Sequence, residues 1–516
     1  MVEKSISNKK IIATIILFAS TFFILQSLLS QLLDNNSNNN AYGQSYAQSD
    51  LIGTTSGNNA PNIDIFNLTP GYTIEPIVWN LTAPDSVTFD DKGNMYVGEA
   101  GYPFTNLPEL PRILKMEPNG NLSVFVDNKL NSPIVDIAFH DGLVYVSHRG
   151  KISTVNTTNG QVDDLIIGLP QNGDHANNQI AFSPDGKRFF FGTGSATNSG
   201  VVGGDNIRWY STTPGVSDVP AKDVTLTGQN FQTSNLLTAE KNDNATTGAI
   251  VPYNTTTNAG QIVKGQLKCT ACILSANLDG TDLKLVGWGL RNPSGLAFNE
   301  DGRLFTANHG ADERGNRPIA NDNDRLYEIK LNETAFYGWP DFYRNAEPVT
   351  DPKFQVKNLA PLQFVMQNHP PVEKPLLELE VGSALAQVDF SSSFNNTNDF
   401  DLKNIAFIAE FGIMVPISHL PLSIKNQDKE IVGQKVIMFN PQNKSYSDFI
   451  SLDKPDASFR PVGIAFNKNE NALYVTSIGK VEVRTTLPND NNIELSEPSP
   501  WFYPNTGVIW KVTKIP

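Results

Sequence analysis

The chain has 516 residues, with 39 Lys and Arg against 53 Asp and Glu, and 39% of its residues are hydrophobic. This composition excludes a disordered chain and a polytopic membrane protein, and the net charge of −14 argues against general nucleic-acid binding, because a negative surface repels phosphate backbones. With 38 Gly, 33 Pro and only 18% charged residues, the sequence is rich in turns and favours an all-β protein.

The N-terminus carries a targeting signal. Three lysines precede a nearly uncharged apolar stretch from Ile11 to Leu33, which predicts a signal peptide or membrane anchor over residues 1–33. An Asn-, Ser- and Gly-rich segment follows, so residues 34–70 are predicted to form a flexible spacer. Both alternatives place the rest of the chain outside the cytoplasm. The protein would be secreted, or anchored to the outer face of the membrane by an N-terminal helix that is its only contact with the membrane.

Cys269 and Cys272 are the only cysteines and form a CxxC motif. Because there is no second pair, a tetrahedral zinc site is not expected. In an oxidising compartment a local disulfide is the favoured reading, and a redox-active dithiol is the alternative.

One hairpin phrase recurs six times along the chain. Each copy has a small turn, an apolar segment ending near a Phe, an Asp-, Asn- or Gly-containing turn and a second apolar strand. The shared aromatic positions are Phe89, Phe139, Phe182, Phe298, Phe390 and Phe466. Such hairpins cannot bury their faces alone, so the repeat predicts a six-bladed β-propeller over residues 71–516, with a β-sandwich as the alternative.

Two further features refine the predicted propeller. The unequal spacing of the copies indicates an insertion at about residues 201–272. The C-terminal strand that starts at Gly507 is predicted to close the ring by pairing with the region from Ile74 to Trp79.

Three polar loops flank repeat strands and are the candidate functional sites. The first contains Asp174 and His175, just before the third repeat; a His beside an Asp can act as a general base, or be an ordinary turn histidine. The second contains Arg291 and Asn292, just before the fourth repeat; Arg suits an anionic ligand, or ties neighbouring blades together.

The third loop runs from Ala307 to Arg325 and is followed by Tyr337-Gly338-Trp339-Pro340. Its carboxylates and Gly carbonyls are hard oxygen ligands of the kind that Ca²⁺ prefers, although the spacing excludes an EF-hand. Zinc is not expected, because His309 has no second imidazole nearby in the sequence. The alternative is a solvated acidic loop.

Taken in order, these loops resemble the soluble quinoprotein glucose dehydrogenase and sorbosone dehydrogenase family, six-bladed propellers that oxidise sugars with pyrroloquinoline quinone (PQQ) and calcium. The resemblance extends from about Thr73 to the C-terminus. Its most specific parts are Asp174-His175, the Leu290-Arg291-Asn292-Pro293 motif, Asn308-His309-Gly310 and the Tyr337-Gly338-Trp339-Pro340 motif.

The resemblance implies roles for individual residues. His175 would be the general base, Asp174 would orient it, and Arg291 would stabilise charge at the quinone. Asn292 and Arg460 would contact the cofactor, Arg460 through a cofactor carboxylate. The remaining matches concern calcium: the carbonyls of Gly310 and Ala311 would hold the cofactor-bound ion, and Asp324 and Tyr337 match the region of a second, structural ion.

Some family features have no match in this chain. Ser391, Ser392 and Ser393 stand where the family has a cofactor-binding Lys on the fifth blade. Asn131 stands where a substrate-contacting Gln is expected, and Arg325 replaces a Glu of the second calcium site.

The sequence therefore predicts an extracytoplasmic quinoprotein oxidoreductase, a PQQ-dependent sugar dehydrogenase. It would oxidise a sugar or related alcohol or aldehyde by hydride transfer to PQQ, with His175 as base, and pass electrons to an external acceptor. The alternative is a non-catalytic surface propeller that binds glycans or proteins. A calcium-dependent lactonase is a third reading, less well supported because the marked residues are His and Arg.

Overall fold

The computed structural model describes residues 52–54, 60–101, 111–238, 240, 242–391, 404–413, 432–454, 456, 458–467, 469–487 and 490–515, with backbone only for 483–500. The predicted signal or anchor at 1–33 and the first part of the predicted spacer lie outside these residues. Within them, no helix combines the length and the apolar character that a membrane crossing requires.

Six sheets of four or five strands dominate the described part of the chain, and we call them blades 1 to 6. From the innermost strand outwards, blade 1 contains Pro84–Phe89, Met95–Glu99, Arg112–Met116 and Leu122–Asp127; blade 2 contains Ile134–His140, Leu143–His148, Lys151–Asn156 and Val162–Ile167. Blade 3 contains Asn177–Phe182, Arg188–Thr193, Cys272–Asn277, Lys284–Trp288 and Ala335–Phe336; blade 4 contains Pro293–Phe298, Leu304–Asn308, Arg325–Ile329 and Leu377–Glu378. Blade 5 contains Leu385–Phe390, Ala406–Glu410, Lys435–Asn440, Ser445–Leu452 and Phe66–Leu68; blade 6 contains Pro461–Asn467, Ala472–Ser477, Gly507–Lys514, Tyr72–Leu81 and Gly53–Thr54.

The remaining elements are short or lie outside the blades. The strands are Val224–Leu226 with Ile262–Val263 and Met366–Gln367, Asn230–Ser234 with Asn244–Gly248, Phe342–Tyr343 with Glu347–Pro348, and Val481–Leu487 with Asp490–Phe502. The helices of the described residues are single turns at Gly204–Asn206, Ile207–Tyr210 and Pro352–Phe354.

The innermost strands form a closed ring. Each packs against the innermost strand of the next blade, and that of blade 6 packs against that of blade 1. This is the arrangement of a six-bladed β-propeller, and the all-β class agrees with the sequence prediction.

Each copy of the repeat forms the first two strands of one blade. The shared Phe residues lie at or one residue before the ends of the innermost strands, and each innermost strand pairs antiparallel with the second strand of its blade. Aromatic packing joins neighbouring blades: Phe407 of blade 5 and Phe466 of blade 6 meet edge to face, with ring centroids 5.1 Å apart. The repeat is therefore a unit that buries its face against its neighbours.

The predicted ring closure is also present. The strand Gly507–Lys514 pairs antiparallel with Tyr72–Leu81, placing Ile74 opposite Val512 and Trp79 opposite Val508. Blade 6 thus combines strands from both ends of the described chain. Two short stretches of the predicted spacer, Gly53–Thr54 and Phe66–Leu68, add outer strands to blades 6 and 5.

The longest connection within blade 3 joins Arg188–Thr193 to Cys272–Asn277, at the place of the predicted insertion. Cys269 and Cys272 form a disulfide at its end, and both side chains are buried. The structure therefore contains the local disulfide that the CxxC motif predicts.

Three side chains link the blades across the ring. The Gln179 side chain accepts main-chain N–H groups from blades 4 and 5, at 2.8 and 3.1 Å. Asp136 of blade 2 accepts from the Ile180 N–H at 2.8 Å, and Gln387 of blade 5 donates to Asp136 at 2.8 Å. These bonds satisfy inner-strand N–H groups that no strand covers.

Candidate functional site

The predicted site residues lie at one end of the blades. His175, Arg291 and Arg460 each stand just before an innermost strand, and Gly310 stands just after a second strand. Because first and second strands run antiparallel, the start of one and the end of the other meet at the same end of a blade.

His175 has a defined tautomer. Its Nδ1 lies 3.1 Å from the Ser195 carbonyl oxygen, which can only accept, so Nδ1 carries the proton and Nε2 keeps its lone pair. No described residue hydrogen-bonds to Nε2. The pKa of His175 is held well below its usual value by burial and then by the positive charges of Arg291, His309 and Arg314. The ring is therefore neutral at neutral pH and can accept a proton at Nε2.

Arg291 lies directly beside this loop. Its carbonyl accepts the Ser195 N–H at 2.6 Å, so the same residue contacts both His175 and Arg291. The buried guanidinium donates to the Asn198 carbonyl and side chain at 3.1 Å each, to the Gly310 carbonyl at 2.6 Å and to Asp312 at 2.9 Å. Arg291 is thus held rigidly, with each of its nitrogens already bonded within the protein.

Asn292 hydrogen-bonds to a second histidine of the site, His309. Its Nδ2 donates to His309 Nδ1 at 3.1 Å, and its Oδ1 accepts from Asn178 at 2.9 Å. His309 Nε2 donates to the Leu385 carbonyl, and its ring centroid lies 6.2 Å from that of His175. The fold therefore brings together two imidazoles, those of His175 and His309, that are distant in the sequence. Both ring nitrogens of His309 already form hydrogen bonds.

The carboxylate of Asp174 binds groups other than the imidazole of His175. Its carboxylate accepts from Asn206 at 2.8 Å and from Arg314 at 2.6 Å. A direct hydrogen bond to the His175 side chain is not among its contacts with described residues, so any influence on the position of His175 acts through the backbone of the loop.

Asp324 and Tyr337, the two residues matched to a second calcium, have different hydrogen-bond partners. Asp324 accepts the N–H groups of Gly310 at 2.7 Å and Ala384 at 2.5 Å, and burial raises the pKa of its carboxyl. Tyr337 instead packs on Tyr327 and accepts the Lys330 N–H at 3.0 Å. Among the described residues, no cluster of three or more His, Cys, Asp or Glu side chains is arranged to hold a metal.

Gly310 and Ala311 form a buried turn beside Arg291. The Gly310 carbonyl accepts from Arg291, and the Ala311 N–H donates to Asp322 at 2.7 Å. A cation held by these carbonyls would have to share the Gly310 oxygen with the guanidinium, because a carbonyl oxygen has two lone pairs.

Arg460 is buried at the same end of the ring but contacts neither His175 nor Arg291. Its Nη1 donates to the carbonyls of Phe411 and Ile413, at 3.1 and 2.6 Å. Its Nε is buried and has no hydrogen-bond partner among the described residues, and burial lowers the pKa of the guanidinium to about 10. A buried cation of this kind suits an anionic ligand group.

Sequence reasoning missed three residues that hold the site: Ser195, Asn198 and Arg314. Ser195 and Asn198 belong to the segment after the third repeat hairpin and lie more than 90 positions from Arg291. Arg314 lies 140 positions from Asp174. The signal that could have found Arg314 is its place within the acidic loop already singled out, between Asp312 and Asp322.

The axis of the ring also holds a cavity of about 510 Å³ near the other ends of the innermost strands. It is lined by Asp136, Gln179, Gln387 and several of the shared Phe residues. None of the predicted site residues lines it, so this cavity is separate from the His175 site.

No family model matches the chain, and no curated protein matches it in sequence. Solved structures with a similar fold include the calcium structure of a Trichoderma reesei carbohydrate-active enzyme of family AA12, with 16% identity, a TM-score of 0.53, and coverage of 89% of this chain and 99% of that one. The holo form of the pyranose dehydrogenase PQQ domain from Coprinopsis cinerea is similar over 89% of this chain and 99% of that chain, with 15% identity and a TM-score of 0.52. At these identities the likeness concerns the fold.

Proposed function

We propose that the chain is an extracytoplasmic quinoprotein oxidoreductase that oxidises a sugar or a related alcohol or aldehyde. The observation that carries this proposal is His175: a neutral imidazole with its lone pair at Nε2, connected through Ser195 to a fixed Arg291. The similar fold of a PQQ domain of pyranose dehydrogenase supports the same class of reaction.

The residues fit an anionic quinone in part. Arg460 offers a buried N–H group without a described partner, which suits a cofactor carboxylate, and Arg291 lies beside the His175 loop. Gly310 and Ala311 could hold a cofactor-bound Ca²⁺ only if the ion shared the Gly310 oxygen with Arg291. A second, structural calcium at Asp324 and Tyr337 does not fit, since the two residues have separate partners.

The protein's own residues would then perform the proton chemistry. Oxidising a C–OH group removes a hydride from carbon and a proton from oxygen, and PQQ, when bound, is the hydride acceptor. His175 Nε2 takes the proton, because Nδ1–H is held by the Ser195 carbonyl and the low pKa keeps the ring unprotonated. An external electron acceptor would be needed to reoxidise the cofactor.

Reconstitution of the full chain tests the proposal. With PQQ and Ca²⁺, the protein should reduce an artificial electron acceptor in the presence of members of an aldose panel. His175→Gln should lower kcat/KM by about 10²–10⁴-fold, the usual contribution of a general base. His140→Gln is the matched control, because His140 ends an innermost strand near the axial cavity and stacks on Phe182.

The outcomes separate the proposal from its alternative. Activity that is independent of PQQ, or unchanged in His175→Gln, would remove this mechanism. Complete absence of dehydrogenase activity together with glycan or protein binding would favour the non-catalytic propeller, a reading supported by the fully bonded guanidinium of Arg291.

A further inference from the structure

Arg314 is the centre of a three-way ion-pair network at the candidate site. Its Nη2 lies 2.6 Å from Asp174 Oδ2, its Nη1 2.6 Å from Asp205 Oδ2, and its Nε 3.1 Å from Asp312 Oδ2. The carboxylates of Asp174 and Asp205 are only 8% and 12% exposed, whereas that of Asp312 is 56% exposed. One guanidinium therefore pairs with three carboxylates, two of them largely buried.

These carboxylates come from three separate segments. Asp174 immediately precedes His175, and Asp205 lies in the helical turn Gly204–Asn206 of the blade 3 insertion. Asp312 follows Ala311 and also accepts from Arg291 Nη2 at 2.9 Å. Arg314 thus contacts the His175 loop, the insertion and Asp312, the ion-pair partner of Arg291.

We propose that Arg314 is a positioning residue that fixes the His175 loop against the insertion and against Asp312, the carboxylate that also binds Arg291. The proposal rests on the proposed function only in treating His175 as the base. Isolated surface ion pairs contribute little, but here a planar fork bridges three partners and one of them, Asp174, is more than nine-tenths buried.

The loss of Arg314 has two physical consequences. First, Asp174, Asp205 and Asp312 would be left as neighbouring negative charges without their shared cation, which favours their separation. Second, the pKa of His175 would change, because the positive charge of Arg314 is one of the charges near its imidazole, together with those of Arg291, His309 and Asp312. Removing one of the cations and leaving the carboxylates favours the protonated imidazole.

Hydrogen exchange measures the first consequence. The loop is tied to the chain after the third repeat hairpin by the Asp174 N–H to the Ala196 carbonyl, at 3.0 Å, and by the His175 N–H to the Ser195 carbonyl, at 3.2 Å. In Arg314→Gln, exchange in a peptide covering residues 172–176 should accelerate at least about tenfold, which corresponds to a local loss of about 1.4 kcal/mol.

The matched control is Arg303→Gln. Like Arg314, Arg303 stands in a connection between two strands of blade 4, and the exposed fractions of the two side chains are similar, 34% for Arg303 and 35% for Arg314. Arg303 forms a bidentate ion pair with Glu328. The control should leave exchange at residues 172–176 unchanged. Equal exchange in the two variants would overturn the proposal.

A histidine titration measures the second consequence without any activity. In the full chain labelled at His and observed by NMR, with the His175 signal assigned by its loss in His175→Gln, Arg314→Gln should shift the titration of His175 to higher pH. Arg303→Gln should not shift it. An unchanged His175 titration in a folded Arg314→Gln protein would contradict a positioning role.

Arg314→Lys covers the case in which Arg314→Gln does not fold. A single ammonium keeps the charge but cannot bridge three carboxylates with a planar fork, so exchange at residues 172–176 should still rise while the His175 titration moves less. Unchanged exchange in Arg314→Lys would overturn the proposal. If the reconstituted parent has no dehydrogenase activity, the proposed function fails, whereas the exchange and titration results still decide the role of Arg314.

Discussion

Single carboxyl and imidazole groups in this protein have protonation states set by what surrounds them. His175 is kept neutral by burial and nearby cations, which suits a base. Asp136 shows the opposite case near the axis: burial raises the pKa of its carboxyl to about 7, with Asp389 adding to the increase, although the N–H donors of Ile180 and Gln387 oppose it. Both groups therefore change charge outside their usual pH ranges.

Asp136 gives a prediction for stability against pH. The pKa of Asp136 is higher in the folded chain than in the unfolded one. Its contribution to the free energy of unfolding is therefore greatest at low pH and is lost as the pH rises through about 7. One such group changes the free energy of unfolding by up to about 1.4 kcal/mol per pH unit. Between pH 5 and 8, Asp136→Asn should therefore lose less stability than the parent, measured by denaturant unfolding.

The exposed Asp91 is the control for this measurement. Asp91→Asn should follow the pH profile of the parent. If Asp136→Asn has the same profile as well, the burial of Asp136 has no thermodynamic consequence and the assignment is wrong.

At this scale the sequence could identify residues that precede a repeat strand, such as His175 and Arg291, because their position follows from the local pattern. It could not identify Ser195, Asn198 or Arg314, since their partners become neighbours only when the ring closes. Asp324 and Tyr337, matched to a second calcium by the resemblance alone, have different hydrogen-bond partners in the structure.

Among the elements, the disulfide loop at residues 269–272 lies directly behind the Arg291 loop. The carbonyl of Ala271 accepts the N–H groups of Gly289 and Leu290, at 2.8 and 3.1 Å. Thr193, two residues before Ser195, donates to the carbonyl of Cys269 at 2.8 Å. The closed loop thus supports both chain segments that lead into the site.

Removing the disulfide should act mainly at this place. For Cys269→Ser with Cys272→Ser, the short closed loop predicts a loss of about 2 kcal/mol or less in the free energy of unfolding. Hydrogen exchange at residues 289–291 should accelerate, because the Ala271 carbonyl is no longer fixed. Denaturant unfolding and exchange mass spectrometry measure the two effects.

Thr193→Val is the matched variant, since it removes the hydroxyl bond to Cys269 and keeps the disulfide. It should change exchange at residues 289–291 less than the double Cys variant does. Unchanged exchange in the double variant would show that the disulfide does not support the Arg291 loop.

The hairpins themselves were predictable from the sequence because each carries its own turn signal and apolar strands. The outer strands were less so: Phe66–Leu68 pairs with blade 5 although it lies in the predicted spacer. The position of an outer strand depends on the sheet edge with which it pairs. For Phe66–Leu68 that edge is formed by residues almost 400 positions away in the sequence.

For the whole molecule, ring closure separates two polar regions. The His175 loop and the buried Arg460 lie at one end of the blades, and the cavity of about 510 Å³ lies near the other ends of the innermost strands. The repeat predicted the ring, and the pairing of Gly507–Lys514 with Tyr72–Leu81 closes it as expected. The signal or anchor at residues 1–33 and the extracytoplasmic location stay predictions.

The most direct test is calorimetric titration of PQQ into the full chain in the presence of Ca²⁺. Saturable binding at one site is expected, and Arg460→Gln should weaken it at least about tenfold, because a charge-assisted hydrogen bond contributes about 1.5–3 kcal/mol. The absence of saturable binding by the folded parent would contradict the account.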